Sequence, residues 1–214
     1  MNYLAHLYLS GCTPEAVLGA LLGDFVKGSL GTAYNQRIRQ GILLHRRIDR
    51  FTDDHEVVRE GRRIISIERR RFAGIMIDVF FDHFLARHWS HYADIVLEEF
   101  ARDVYVILMR HHNSFPQRLQ YMVPRMVRDD WLVTYRELWR IDLALNGISR
   151  RLRRVNALTG GARELEANYV RFEECFLAFF PELMRFVDQD KTSKGIIEDN
   201  VWKRETENTD GGVD

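Results

Sequence analysis

Cysteine is nearly absent from this 214-residue chain: Cys12 and Cys175 are its only two, too few for a disulfide framework. Proline is scarce as well, and with four prolines and 14 glycines neither a collagen-like nor a proline-rich architecture is open to it. No apolar run approaches the roughly 18 residues that a spanning helix needs. The opening Met1-Asn2-Tyr3-Leu4 lacks the positive segment of a secretory signal. These absences predict a soluble, cytoplasmic protein with no membrane partner. Neither sign of charge is in excess, with 31 Lys+Arg against 31 Asp+Glu, which argues against a dedicated nucleic-acid binder. No Cys-x-x-Cys, His-Glu-x-x-His or Gly-x-Ser-x-Gly spacing and no glycine-rich phosphate loop occurs. A structural zinc, a zincin protease and a serine hydrolase are thereby disfavoured.

What is present is enough for a core: 46% of the residues are hydrophobic, and the length suits one domain. The balanced charge conceals two unlike parts. Residues 188–214 hold eight acids and four bases, which leaves residues 1–187 with a net of +4 before histidine. The division predicts a helical catalytic domain over 1–187 and an acidic, fraying tail over 188–214. Of the 31 bases, 27 are Arg, a side chain suited to planar contacts with carboxylate or phosphate.

Helical periodicity runs through the chain and predicts an all-α, single-domain bundle. Thr13-Pro14 reads as a cap followed by proline at the first helical position, opening a helix over 14–27. Further helices are expected over 35–51, from the Thr52-Asp53-Asp54 cap towards 68, and over 70–89, 92–111, 117–128, 131–145 and 147–155. A last one over 162–187 should break or kink near Pro181. The aromatics Trp131, Tyr135, Trp139, Phe172, Phe176, Phe179 and Phe180 fall at helical spacing and read as core.

Several acids and histidines fall on faces that should be buried. At about 100° per residue, Asp82 lies within about 40° of Asp78 on a ridge flanked by Ile75, Phe81, Leu85 and Trp89. His83 follows at the edge. His45 and Asp49 are i,i+4 neighbours beside the Leu44–Ile48–Phe51 stripe, and Asp53 extends that ridge. Asp24 sits on the apolar face of its helix with Val17, Ala20 and Leu21, and His6 interrupts Leu4-Ala5-His6-Leu7. Each has a plain alternative: Asp53 as a helix cap, Asp49 paired with Arg46 or Arg50, Asp24 bonded to Lys27 or a backbone amide. Together they are better explained by a cation, because an uncompensated buried charge costs several kcal/mol. Oxygen and imidazole donors in a helical core suit Mn²⁺, Mg²⁺, Fe²⁺ or Zn²⁺. A metal so held polarises a phosphoryl oxygen and activates water, so phosphoester hydrolysis is the leading reaction class.

The segments Met1-Asn2-Tyr3-Leu4-Ala5-His6, Leu21-Leu22-Gly23-Asp24-Phe25, His45-Arg46-Arg47-Ile48-Asp49, Asp78-Val79-Phe80-Phe81-Asp82-His83, Trp131-Leu132-Val133-Thr134-Tyr135 and Leu145-Asn146-Gly147, in that order, resemble the acyl carrier protein phosphodiesterases. The resemblance covers about residues 1–187. It implies hydrolysis of the phosphodiester joining 4′-phosphopantetheine to the serine of holo acyl carrier protein, which releases the apo protein. It also implies a divalent metal, most often Mn²⁺ with Mg²⁺, Fe²⁺ or Co²⁺ as alternatives, and a distant kinship with the all-helical His-Asp metal phosphohydrolases. Carried over, Asp24, His45, Asp49, Asp78, Asp82 and His83 supply the metal and catalytic set, with His6 and Asp53 beside them. Asp24, His45, Asp82 and His83 are the expected catalytic residues, His45 or His83 protonating the departing serine oxygen. The local order here is Asp82-His83, the reverse of His-Asp.

An acidic carrier implies a basic docking face. Two clusters offer one: Arg59, Arg62, Arg63, Arg69, Arg70, Arg71, and Arg150, Arg151, Arg153, Arg154. Two other functions fit the same residues, a helical phosphohydrolase acting on a nucleotide or small phosphodiester and a non-catalytic adaptor that binds carrier protein.

Overall fold

The structure, a computed structural model, describes residues 1–152, 156–195 and 202. Among them every regular element is helical, as the periodicity predicts. The elements are α1 (Tyr3–Ser10), α2 (Pro14–Leu22), α3 (Gln36–Asp54), α4 (Glu56–Ile64), α5 (Ala73–Arg87), α6 (Leu97–Arg110), α7 (Gln117–Arg128), α8 (Trp131–Thr134), α9 (Leu138–Arg151), α10 (Ala162–Ala167) and α11 (Tyr169–Ser193). None of these helices is long and apolar enough to cross a membrane.

At the centre lies α5, whose Phe80, Phe81 and Phe84 are fully buried and which packs against α1, α4, α9 and α11. Phe172, Phe176, Phe179 and Phe180 line the inner face of α11; Phe172 meets Phe80 and Phe176 meets Phe81 edge-on, Phe179 meets Phe81 at a tilt, and Phe180 packs on Tyr8 and Tyr92. The expected aromatic core is present except for Trp139, which is 54% exposed.

Capping residues set several helix starts. The Thr13 hydroxyl accepts the amide of Ala16 over 3.4 Å, and the Asn35 side chain accepts that of Ile38 over 2.9 Å. Helix α1 has no cap of its own. Asp82, from α5, accepts the amides of Leu4 at 2.7 Å and of Asn2 and Ala5 at 3.2 Å. A carboxylate from the central helix thus satisfies the orphan donors at the start of α1 and opposes its dipole.

Elsewhere, side chains from distant elements claim carbonyls and move the helix ends. Helix α2 stops at Leu22, short of the expected 27, and Arg46 holds the following loop by donating to the carbonyls of Val26 and Gly28. The segment 92–96 stays outside α6 because Tyr8 donates to the Tyr92 carbonyl and Trp89 to that of Ile95. The expected helix over 131–145 divides into α8 and α9, and His83 Nδ1 donates to the Tyr135 carbonyl at the break. Pro181 does not end α11: the carbonyl that loses its donor belongs to Leu177, on the exposed side. The break falls at Asn168 instead. Residues 52–54 finish α3, and His55 is the cap position of α4.

Helix α11 also runs past the expected boundary at 187 to Ser193. Lys191 is buried and donates to the Ser10 carbonyl over 2.8 Å, Asp190 pairs with Arg47 at 2.8 Å, and the Trp202 ring meets Phe100 at 4.6 Å. The remainder of the tail lies outside the described residues.

Candidate metal centre

Two glycines bring α2 and α3 together. A Cβ on Gly19 would lie 2.7 Å from the Gly41 Cα and from the Ile38 carbonyl oxygen, so the backbones meet where any side chain would hold them apart. One turn further along each helix, a Cβ on Gly23 would stand 2.2 Å from the His45 ring. This crossing seats the His45 imidazole under the end of α2, only 3% exposed. Its Nδ1 donates to the Ala20 carbonyl over 2.7 Å. The bond fixes the ring and turns Nε2 towards two carboxylates, Asp49 at 3.2 Å and Asp24 at 3.6 Å.

Helix α1 supplies His6, whose ring stacks on that of His45 with centroids 3.6 Å apart. His6 Nε2 meets the other Asp49 oxygen at 3.0 Å, while Nδ1 is buried without a hydrogen-bond partner. Asp49 therefore bridges the two imidazoles. The rings are buried, but Asp24 and Asp49 are nearly half exposed, so the centre opens to solvent on its carboxylate side.

The charges of these groups are interdependent. Burial pushes the His45 imidazole down, but hydrogen bonds to Asp24 and Asp49 outweigh it and hold the ring up at about 9. Burial and the neighbouring His45 charge depress His6 to about 4. Burial works against Asp49 and Asp24 too, yet the histidines keep both carboxyls below the usual range. A divalent cation fits this arrangement. With Nδ1 tied to Ala20, the His45 Nε2 faces two carboxylates, and the proton it holds there occupies a position that a divalent cation can take over, the ring then ligating through its lone pair. A ligating imidazole whose other nitrogen donates to a backbone carbonyl is also a common outer-shell pattern. His6, His45 and Asp49 each offer a ligand atom within 4.8 Å of the others, and Asp24 adjoins them through His45.

The remaining expected site residues take other hydrogen-bond partners. Asp78 accepts the Met1 ammonium at 2.7 Å, and Asp82 caps α1. Both act on the helix that carries His6. Burial pushes the Asp82 carboxyl up to about 7, against the pull of the ammonium and the three amides. His83 is buried between the Tyr135 carbonyl and the Tyr169 hydroxyl, 2.9 Å from each, and burial lowers its ring to about 4. That places it as a bridge between α5 and α11 rather than beside His6 and His45. Asp53 is exposed and pairs with Arg62.

Much of the first arginine cluster is engaged within the chain. Arg59 pairs with Asp54, Arg62 with Asp53 and Arg69 with Glu164, while Arg70 donates to the carbonyls of Arg63 and Ile65. Arg63, Arg71, Arg150 and Arg151 are exposed, and Arg153 and Arg154 lie outside the described residues.

Missed by sequence reasoning were Gly23, the Ala20 carbonyl and Arg46, whose roles come only from the α2–α3 crossing. Arg118 and Phe25, with the Arg118 guanidinium 5.6 Å from the Phe25 ring centre beside Asp24, were missed as well. No local pattern marks Arg118, because α7 and the end of α2 meet only in the folded chain.

Known proteins resemble this chain over most of its length. A protein of Serratia proteamaculans named acyl carrier protein phosphodiesterase is 39% identical over 186 residues, covering 86% of this chain and 96% of its own length. One of the same name from Yersinia pestis is 37% identical over the same share of each chain. No solved structure matches the chain. The profile of the family described as acyl carrier protein phosphodiesterase matches residues 1–183, so the chain belongs to the acyl carrier protein phosphodiesterase family.

Proposed function

We propose that this chain hydrolyses the phosphodiester linking 4′-phosphopantetheine to the serine of holo acyl carrier protein, giving the apo protein, at a centre formed by His6, His45, Asp49 and Asp24. The observation that carries the proposal is the orientation of His45: its Nδ1 is committed to Ala20, and its Nε2 faces Asp24 and Asp49. Mixed imidazole and carboxylate donors suit Mn²⁺, with Fe²⁺, Co²⁺ or Mg²⁺ as substitutes. Such a cation, when bound, polarises a phosphoryl oxygen and lowers the pKa of water.

The chain's own residues do the rest. His6, His45, Asp49 and Asp24 hold the charge, the two imidazoles from the buried side and the two carboxylates from the open side. Asp82 and Asp78 hold the start of α1, and with it His6, in register with α3. Arg46 holds the loop that follows Asp24. The exposed Arg63, Arg71 and Arg150 remain for an acidic carrier surface, so turnover should fall as salt screens the encounter.

The test is to incubate holo acyl carrier protein with the enzyme and Mn²⁺ and weigh the carrier by mass spectrometry. Loss of the 4′-phosphopantetheine mass, abolished by chelator and restored by Mn²⁺, is expected. A carrier of unchanged mass in the presence of metal-loaded enzyme would refute the proposal.

A further inference from the structure

A second group of side chains gathers beside Asp24. Tyr3, the first residue of α1, packs its ring near Trp131, with centroids 6.4 Å apart. Its hydroxyl donates to the Met122 sulfur over 3.4 Å, a weak acceptor that gives up such a donor easily. Arg151, at the end of α9, acts on that hydroxyl, and Arg118 and Asp24 lie within its electrostatic reach. Arg118 reaches in from α7 over the ring of Phe25, the residue that follows Asp24. Among the described residues no carboxylate pairs with either guanidinium; Arg151 also donates to the Gly147 carbonyl of its own helix. Helices α1, α7 and α9, and the loop after α2, therefore converge on one rim.

Charge explains why such a rim is needed. Asp24 and Asp49 carry two negative charges, which a divalent cation does no more than cancel. A phosphodiester brings another negative charge, and its non-reacting oxygens need donors that the imidazoles and carboxylates do not supply. Unpaired guanidinium groups are the side chains best suited to phosphate oxygens.

We propose that Arg118 and Arg151, with the Tyr3 hydroxyl between them, form the phosphate-holding half of the active site and take the non-reacting oxygens of the phosphodiester and of the phosphomonoester it releases. This rests on assigning the reaction to the His6–His45–Asp49 centre. In this arrangement the rim positions the phosphorus against the centre and discriminates phosphoryl ligands from carboxylates.

The experiment compares the full-length enzyme with Arg118→Gln, Arg151→Gln, the double variant, the corresponding Lys variants and Tyr3→Phe. Both arginines are exposed, so the fold should survive, and circular dichroism checks it. Four quantities are measured: Mn²⁺ content, kcat and KM on holo acyl carrier protein, inhibition by 4′-phosphopantetheine and by apo carrier protein, and calorimetric titration with inorganic phosphate. The expected result is unchanged metal content together with a tenfold or greater rise in the 4′-phosphopantetheine inhibition constant for the double variant. Phosphate affinity should fall in parallel, Lys should restore part of the loss, and Tyr3→Phe should lose about threefold. Inhibition by apo carrier protein should stay within twofold.

Weakened inhibition by apo carrier with unchanged inhibition by 4′-phosphopantetheine would overturn the proposal and make the two arginines a docking surface for the carrier. Unchanged values throughout would overturn it as well. If the unaltered enzyme neither retains Mn²⁺ nor cleaves the carrier, the assignment of the centre fails, and the phosphate titration judges the rim alone. A difference between the unaltered and double-variant proteins supports it, and equal affinity overturns it.

Discussion

The imidazole rings of His6 and His45 lie face to face, 3.6 Å between centroids and 12° from parallel. Two imidazolium rings cannot share that spacing in a buried site, so at most one ring of the pair is charged. Asp49 contacts both rings, one with each oxygen, and joins α1 to α3 through the centre.

Substituting Asp49→Asn should therefore break the centre rather than the fold. The amide keeps the shape but gives one imidazole a donor where it had an acceptor. Mn²⁺ affinity and turnover should each fall by at least roughly 10–100-fold, as for lost metal-site partners. Metal analysis after gel filtration and a carrier-mass assay would check this. Retained metal and full turnover would remove Asp49 from the centre.

Gly23→Ala tests the helix crossing. The new Cβ would stand 2.2 Å from the His45 ring, which is buried and tied to Ala20 and has no room to retreat. Overpacking of this kind costs about 1–3 kcal/mol. Urea unfolding should show that loss, and Mn²⁺ content should fall with it. An alanine variant that keeps its stability and metal would contradict the crossing geometry.

Asp82→Asn should act through α1. The amide retains one acceptor oxygen but turns an N–H₂ towards the Leu4 or Ala5 amide, leaving buried donors unmatched at a cost of about 1–3 kcal/mol. His6 then loses its register with Asp49. Turnover should fall at low Mn²⁺ and recover at high Mn²⁺, whereas the Asp49 variant should recover little. A variant of unchanged melting temperature would exclude the capping role.

Acid should loosen the α5–α11 bridge at His83. Its pKa is depressed from 6.5 to about 4 in the folded protein by burial, so the unfolded chain takes up the proton first as pH falls. The stability that depends on neutral His83 is complete above about pH 6.5 and drains away as pH drops to about 4. It amounts to about 3 kcal/mol at roughly 1.4 kcal/mol per pH unit. Glu173 and Arg87 face the ring and act in opposite senses. Urea unfolding at pH 7, 6 and 5 should show a shallower pH slope for His83→Gln than for the unaltered protein. Equal slopes would refute the assignment.

Residues of the centre were legible in the sequence wherever chemistry conflicts with local pattern. A histidine inside Leu4–Leu9, and an i,i+4 His-Asp pair beside an apolar stripe, announce that something polar happens in a core. The same conflict drew attention to Asp78, Asp82 and His83, whose burial has another cause. A helix wheel reports that an acid faces inward but not what it meets there. Asp82 meets three backbone amides, and His83 meets a carbonyl and a phenol.

By itself, the sequence determined the helical class, the cap at Thr13, and the supply of metal-binding donors, because each of these depends on neighbours within a turn or two. Tertiary structure alone decided which donors converge. The Gly19–Gly41 contact sets the distance between α2 and α3, Asp82 sets the start of α1, and Arg118 meets Phe25 from a helix far along the chain. Such choices follow from long-range packing and from competition for backbone carbonyls, and no local window of residues contains them.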